Sequence, residues 1–288
     1  MRSFSMRYPA VFVALVTMLS VSAAKDEFQA GDFVKQHLNS IGTEEARAAV
    51  KNQLVQGALT FQYLNVAGIV NGNLQFVSEG DKFVSVLKIP SPDYRGEQFV
   101  SDGKKTAVHQ PKPGVYSAMG RFVFEHDEVL TEGLWGGALS TAWALSHLDE
   151  RHAKLQDQGM KKVDGRELHR VDYMPKKSSD LLIELYFEPD TFRHVMTVYS
   201  YHVMARGGGG PAASAGQEER QYRLEERFAD FKTIDNLTLP GRWTIQFTSG
   251  GGMRNIGRGS TSSISQFELT DAKISHNISL DPRNFEVK

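Results

Sequence analysis

The spacing of apolar residues along the chain changes twice. Between Gly31 and Lys51 it is three and four, at Phe33, Val34, His37, Leu38 and Ile41, which puts one stripe on one face of a helix. Thr43 followed by Glu44 and Glu45 predicts a second helical turn, with the threonine as N-cap and the carboxylates near the positive helix end. From Val55 the period falls to two. Val55, Leu59, Phe61 and Tyr63 alternate with Gln56, Ala58, Thr60 and Gln62, as in a half-buried strand. Further strands are expected around turns at Glu79-Gly80-Asp81 and Asp102-Gly103.

Residues 134–148, LWGGALSTAWALSHL, break this pattern. They carry no formal charge and hold two of the three tryptophans. Apolar groups at Leu134, Trp135, Ala138, Leu139, Ala142, Trp143, Leu145 and Leu148 fall on most sides of a helix, which must then be buried on most of its surface. One side is expected against the concave face of a curved sheet. The other meets core or a cavity. Gly136 and Gly137 weaken the first turn by about 1 kcal/mol each relative to alanine, which suits a movable lid.

Strands resume after His152, turning at Asp164-Gly165 and at 188–191. Residues 205–217, ARGGGGPAASAGQ, are expected to be a flexible loop between neighbouring strands of one domain, 25–288. Near the end, Trp243, Ile245 and Phe247 alternate with Arg242, Thr244 and Gln246, which predicts an antiparallel sheet packed on one face. The fold class is therefore α+β, built on a curved antiparallel sheet.

Composition narrows the setting. Arg2 and Arg7, the apolar run VFVALVTML and the small residues SVSAA read as a signal peptide over residues 1–24. The expected mature chain is exported and periplasmic, with 31 basic against 34 acidic residues once Arg2 and Arg7 are removed. The near-neutral balance argues against a dedicated nucleic-acid binder. Cysteine is absent, so no disulfide, thiol nucleophile or lipid-bearing cysteine is expected. No later run is long enough to span a bilayer as a helix.

Candidate chemistry is sparse. GGGMRNIGRGS (250–260) has glycines spaced as in a phosphate loop, but Arg258-Gly259 stands where lysine and a hydroxyl residue belong. His147 and His152 do not share a helix face, and Glu125-His126-Asp127-Glu128 reads as a solvated charged face. No GxSxG elbow occurs. NLT (236–238) and NIS (277–279) match glycosylation acceptors. No metal site, cofactor or catalytic residue is expected.

Three segments resemble the LolA/LolB/RseB/LppX superfamily of envelope lipoprotein carriers. YFEPDTFRHVMTVY resembles its hairpin, FADFKTIDNLTLPGRWTIQF its strand–turn–strand segment (with Asn236 where glycine is usual), and FELTDAKISHNISLDPRNFEV its terminal strand, matching at Asn277 and Phe285. The resemblance implies an unclosed barrel of about eleven antiparallel strands around a helical plug, with a hydrophobic pocket for acyl chains. On that reading Trp135, Leu139 and Trp143 line the lid, while Phe61, Ile183, Leu185, Trp243 and Ile245 are wall residues or plain core. The implied function is non-catalytic carriage of a lipid or lipoprotein, with envelope membrane proteins as partners. An RseB-like sensor is the alternative, and an envelope hydrolase a third possibility.

Overall fold

The computed structural model describes residues 28–92, 94, 96–110, 115–203, 220–251 and 262–287. The expected leader 1–24, the 205–217 loop and most of the 250–260 turn lie outside them. The chain enters through α1 (Ala30–Ile41), which buries Phe33, His37 and Ile41 on the expected face. The short α2 (Glu44–Ala48) follows, its Ala46 N–H donating to Thr43 Oγ1 at 3.2 Å. Five strands come next: β1 (Asn52–Tyr63), β2 (Val70–Glu79), β3 (Lys82–Lys88), β4 (Glu97–Ser101) and β5 (Thr106–His109). Helices α3 (Ala118–Glu125) and α4 (Glu128–Thr131) lead into the apolar segment, which ends in α5 (Leu148–Arg151).

The second run of strands is β6 (Lys154–Val163), β7 (Arg166–Met174), β8 (Leu182–Phe187), β9 (His194–Val203) and β10 (Arg220–Ala229). A small ribbon, β11 (Lys232–Ile234) and β12 (Leu237–Leu239), precedes β13 (Arg242–Gly251), β14 (Ser263–Leu269) and β15 (Lys273–His276). Thirteen strands make one sheet in the order β5-β4-β3-β2-β1-β14-β13-β10-β9-β8-β7-β6, with β15 beside the first half of β1. Its pairs are antiparallel, and β5 and β6 do not pair, so the barrel is unclosed. The sheet exceeds the eleven strands expected partly because Asp271, at φ +50°, bends the terminal strand into two pieces.

Alternation sets the faces. Trp243, Ile245 and Phe247 are buried on β13, and their β10 partners Phe228, Glu226 and Leu224 face the same interior. The opposite face is partly covered as well. Phe285 of the tail packs with Val84 and Val100 there, and Val195, Val198, Met196 and Tyr186 form a further cluster.

Residues 134–148 lie at the centre as expected, but not as one helix. Short 3-10 turns at Gly137–Leu139 and Ala144–His147 are joined by irregular backbone. The cause is glycine. Gly133, Gly136 and Gly137 have φ of +67°, +78° and +51°, a left-handed conformation that ends an α-helix. The Ala144 N–H then donates to Gly133 O at 3.1 Å, closing the segment into a compact plug. Leu134, Trp135, Leu139, Ala142, Trp143 and Leu145 are each at most 1% exposed, while Ala138 and Leu148 are half-buried and Ser146 is exposed, so the segment is buried on most of its surface.

A Cβ at Gly133 would stand 1.9 Å from Ala142 O, whereas one at Gly80 (φ +58°) would meet open space. Gly133→Ala should therefore lower stability by about 2 kcal/mol or more, and Gly80→Ala by about 1 kcal/mol from backbone strain alone. Urea midpoints at unchanged m-value measure both.

Candidate functional site

Local turns such as Leu139 N–H to Gly136 O and Trp143 N–H to Ser140 O satisfy part of the irregular segment, and the sheet and helices supply the partners that remain. They do so at four backbone points. Glu226 Oε2 accepts from the Gly136 N–H at 2.8 Å. Gln53 Nε2 donates to Leu139 O at 2.7 Å. Ser78 Oγ accepts from the Thr141 N–H at 2.9 Å. Arg151 Nη2 donates to Ala142 O at 3.2 Å. Two side-chain tethers join them: Trp143 Nε1 donates to His37 Nε2 at 2.8 Å, and Thr141 Oγ1 donates to Gly80 O at 2.9 Å.

Three buried titratable groups belong to this set. Glu226 is fully buried and also accepts from Trp243 Nε1 and from the Tyr199 hydroxyl, each at 2.9 Å. Burial opposes its charge more than the three donors favour it, and its pKa is pushed up to about 7. His37 lies within hydrogen-bond reach of Phe192 O through Nδ1, at 2.9 Å, and the carbonyl can only accept. The Nδ1 proton therefore faces Phe192, leaving Nε2 bare for the Trp143 indole. Burial, with a smaller contribution from the Arg47 charge, brings the His37 pKa down to about 4. His194 stacks on Trp143 with ring centroids 4.7 Å apart, and burial followed by the neighbouring His37 holds its pKa well below the ordinary value. The Trp135 indole N–H has no hydrogen-bond partner among the described residues.

All eight residues singled out in the sequence fall in one contiguous apolar cluster: Phe61, Trp135, Leu139, Trp143, Ile183, Leu185, Trp243 and Ile245, each at most 2% exposed. In this conformation plug side chains fill the concave side of the sheet. Trp143 also borders a surface groove of about 370 Å³ between α1, α2, the plug and β12. Apolar walls come from Leu38, Ile41, Val50, Ala138 and Leu239, and polar side chains also line it, among them Glu44, Arg47, Lys51, Gln53, Thr141 and His147. Arg47 is committed to the local backbone, donating to Leu38 O and Gly42 O at 2.7 and 2.6 Å.

A second, more polar cleft of about 460 Å³ lies at the other mouth of the sheet, lined by Glu125, His126, Glu128, Asp180 and Tyr201. Glu125 pairs with Arg121 at 3.3 Å, and Glu128 accepts from Ser179 Oγ. No group of three or more His, Asp or Glu side chains among the described residues could hold a metal ion. Asn277 of the NIS triplet is engaged locally. It accepts from the Lys51 N–H at 2.8 Å and donates to Ala49 O at 2.9 Å, tying the chain end to the start of β1.

Sequence reasoning placed His37 on the buried helix face but gave Glu226 no role. Its signal was available in RLEERF, where Leu224 and Phe228 mark the inward phase and Glu226 shares it.

The structure is similar to the crystal structure of a LolA superfamily protein from Nitrosomonas europaea, at 14% identity, covering 91% of this chain and 99% of that one, with a TM-score of 0.48. It is also similar to that of a DUF1329 family protein from Desulfovibrio piger, at 12% identity, 89% and 97% coverage, and a TM-score of 0.47. No protein-family model and no curated protein sequence matches the chain.

The two kinds of buried group give stability a pH dependence from both sides. His37 falls from 6.5 to about 4 on folding, so its contribution is intact above pH 6.5 and is lost as pH drops from there towards 4. Glu226 rises from 4.5 to about 7, so its contribution is intact below pH 4.5 and is lost as pH rises through 7. Each complete window corresponds to about 3 kcal/mol. Chemical denaturation across pH 4–8 should show His37→Gln flattening the acid arm and Glu226→Gln flattening the alkaline one. Unchanged arms in these variants would refute the assignment.

Proposed function

We propose that the protein is a non-catalytic binder of lipid acyl chains in the cell envelope, loaded through the groove beside Trp143 and closed by the 134–148 plug. The observation that carries this reading is the joining of an apolar surface groove to a plug held inside the sheet by few polar contacts. The groove wall at Trp143 and Ala138 belongs to the plug itself, so movement of that segment extends the groove into the interior. Each methylene transferred from water contributes about 0.8 kcal/mol, so a chain in the groove binds without polar recognition. A displaced plug makes room for more of it.

Local features support a mobile plug. Its backbone lacks a continuous helical hydrogen-bond ladder, three glycines sit in left-handed geometry, and the Trp135 N–H is unsatisfied, which weakens its docking by about 1–3 kcal/mol. Among the described residues no helix is long and apolar enough to cross a membrane. Lipoprotein sorting is the form of this activity that the sequence resemblance implies.

Fatty-acid binding, followed with a fluorescent acyl probe, and native mass spectrometry of protein purified from its own host test the reading. Val50 is half-buried on the groove wall, and Val50→Asp puts a charge there. The variant should weaken the probe by ten-fold or more, about 1.4 kcal/mol, with little change in Tm. A wild-type chain that takes up no probe and carries no lipid would overturn the proposal.

A further inference from the structure

We propose that the mouth of the sheet opposite the acyl groove is a docking face for an anionic lipid bilayer. Eight large apolar side chains are exposed among the described residues, and the strand registers together with the packing of α3 place seven of them at this one end. β1 ends here at Tyr63 and β2 begins at Val70, and the turn between them exposes Leu64, Val66 and Ile69 by 46%, 61% and 63%. Residues 64–72, LNVAGIVNG, carry no charge. The antiparallel pairs Leu87 with Glu97, Gln98 with His109, Arg220 with Val203 and Leu182 with Ser200 bring the matching ends of the other strands to the same mouth.

Helix α3 lies across it. Its leading Ser117 N–H donates to Glu97 Oε1 at 3.3 Å, and Phe122 packs on Phe247 and Tyr222 near the ends of β13 and β10. Phe124 and Val115 point outward from this cover, more than half exposed, with Phe124 stacked on Tyr116. Across the mouth, Met174 at the end of β7 and Leu182 at the start of β8 are also exposed. Met160, inside β6, is the exception.

The distribution selects the occupant. In the sheet order β2 and β1 are the fourth and fifth strands, while β8 and β7 are the tenth and eleventh, so the apolar tips stand on well-separated arcs of one rim. A peptide or a narrow protein ridge would meet one arc. A flat, deformable apolar layer meets all of them together, each tip entering the interface to shallow depth. Lys88, Lys154, Lys176 and Lys177 are exposed around the same mouth and suit anionic headgroups. The acidic residues there are mostly engaged: Glu97 is buried and accepts from Tyr94 and Gln110, Glu125 pairs with Arg121, Glu128 accepts from Ser179 and Glu132 from Tyr173, leaving Asp127 and Asp180 towards α4. Docked this way, the protein keeps the groove beside Trp143 facing away from the bilayer. The proposal does not rest on the acyl-chain reading.

Co-sedimentation of the full chain with vesicles of phosphatidylcholine mixed with phosphatidylglycerol tests it. The wild type should bind them, and bind pure phosphatidylcholine vesicles less. Val66→Asp with Ile69→Asp should weaken binding by about ten-fold or more, with Tm and acyl-probe affinity unchanged because both sites are exposed turn positions. Val50→Asp should sediment like the wild type, which separates this face from the groove. No binding to either vesicle, full binding by the double variant, or apolar tips consumed in a dimer that Val66→Asp dissolves would each overturn the proposal.

Discussion

The plug is dry over most of its surface, yet its backbone is not a continuous helix, and this condition shapes the rest of the interior. A buried N–H or C=O without a partner costs about 1–3 kcal/mol, and several left unmade would exceed the margin by which domains of this size stay folded. The partners that its own turns do not supply must therefore come from the walls. Glu226 on β10, Gln53 on β1 and Ser78 on β2 serve plug backbone from the sheet, while Arg151 does so from α5. His37 on α1 serves the Trp143 indole. Polar residues thus occupy inward positions where a simple sandwich would carry leucine or valine.

A carboxylate at position 226 follows from the same condition. Three donors converge on it: the Gly136 N–H and the Trp243 indole on Oε2, and the Tyr199 hydroxyl on Oε1. Glutamine would offer one acceptor oxygen and turn its amide hydrogens towards one of those donors, a poorer match to the backbone of the plug. The carboxylate accepts from all three, at the expense of a charge with no cation beside it. The raised pKa measures that tension. His37 shows the reverse case: the interior needs it neutral so that Nε2 can accept, and burial together with Arg47 keeps it so.

The sheet was legible wherever one phase of a strand is apolar. Trp243, Ile245 and Phe247 sit inward as their alternation requires, and Asp164-Gly165 turns with both residues at positive φ. The α1 face was legible for the same reason at a different period. Reading 134–148 as a helix failed because all-round apolarity reports burial and not backbone geometry. Gly133, Gly136 and Gly137 were visible, but whether glycine weakens a helix or replaces it depends on what surrounds it. Here a Cβ would stand 1.9 Å from Ala142 O at Gly133 and 2.3 Å from Phe76 at Gly136, while at Gly137 the left-handed backbone and His194 at 3.0 Å disfavour one. The tethers depend on pairs far apart in sequence, such as Gln53 with Leu139, so only the inward phase of Glu226 hinted at them.

The filled interior bears directly on the proposed acyl-chain binding. Replacing Trp143 and Leu139 in the core by methylenes exchanges one apolar surface for another, so the transfer free energy largely cancels except for what the displaced side chains then expose. The balance between the closed and loaded forms is left to terms that do not cancel, the polar tethers and the strain in the plug backbone. Both are small in number and local to residues 133–143. On that proposal, an interior closed by such a segment is well packed when empty and would exchange its contents at a cost of a few hydrogen bonds. A continuous helix in the same place would bring its own backbone bonds with it and need no tethers, and the walls would then have no grip on when it leaves.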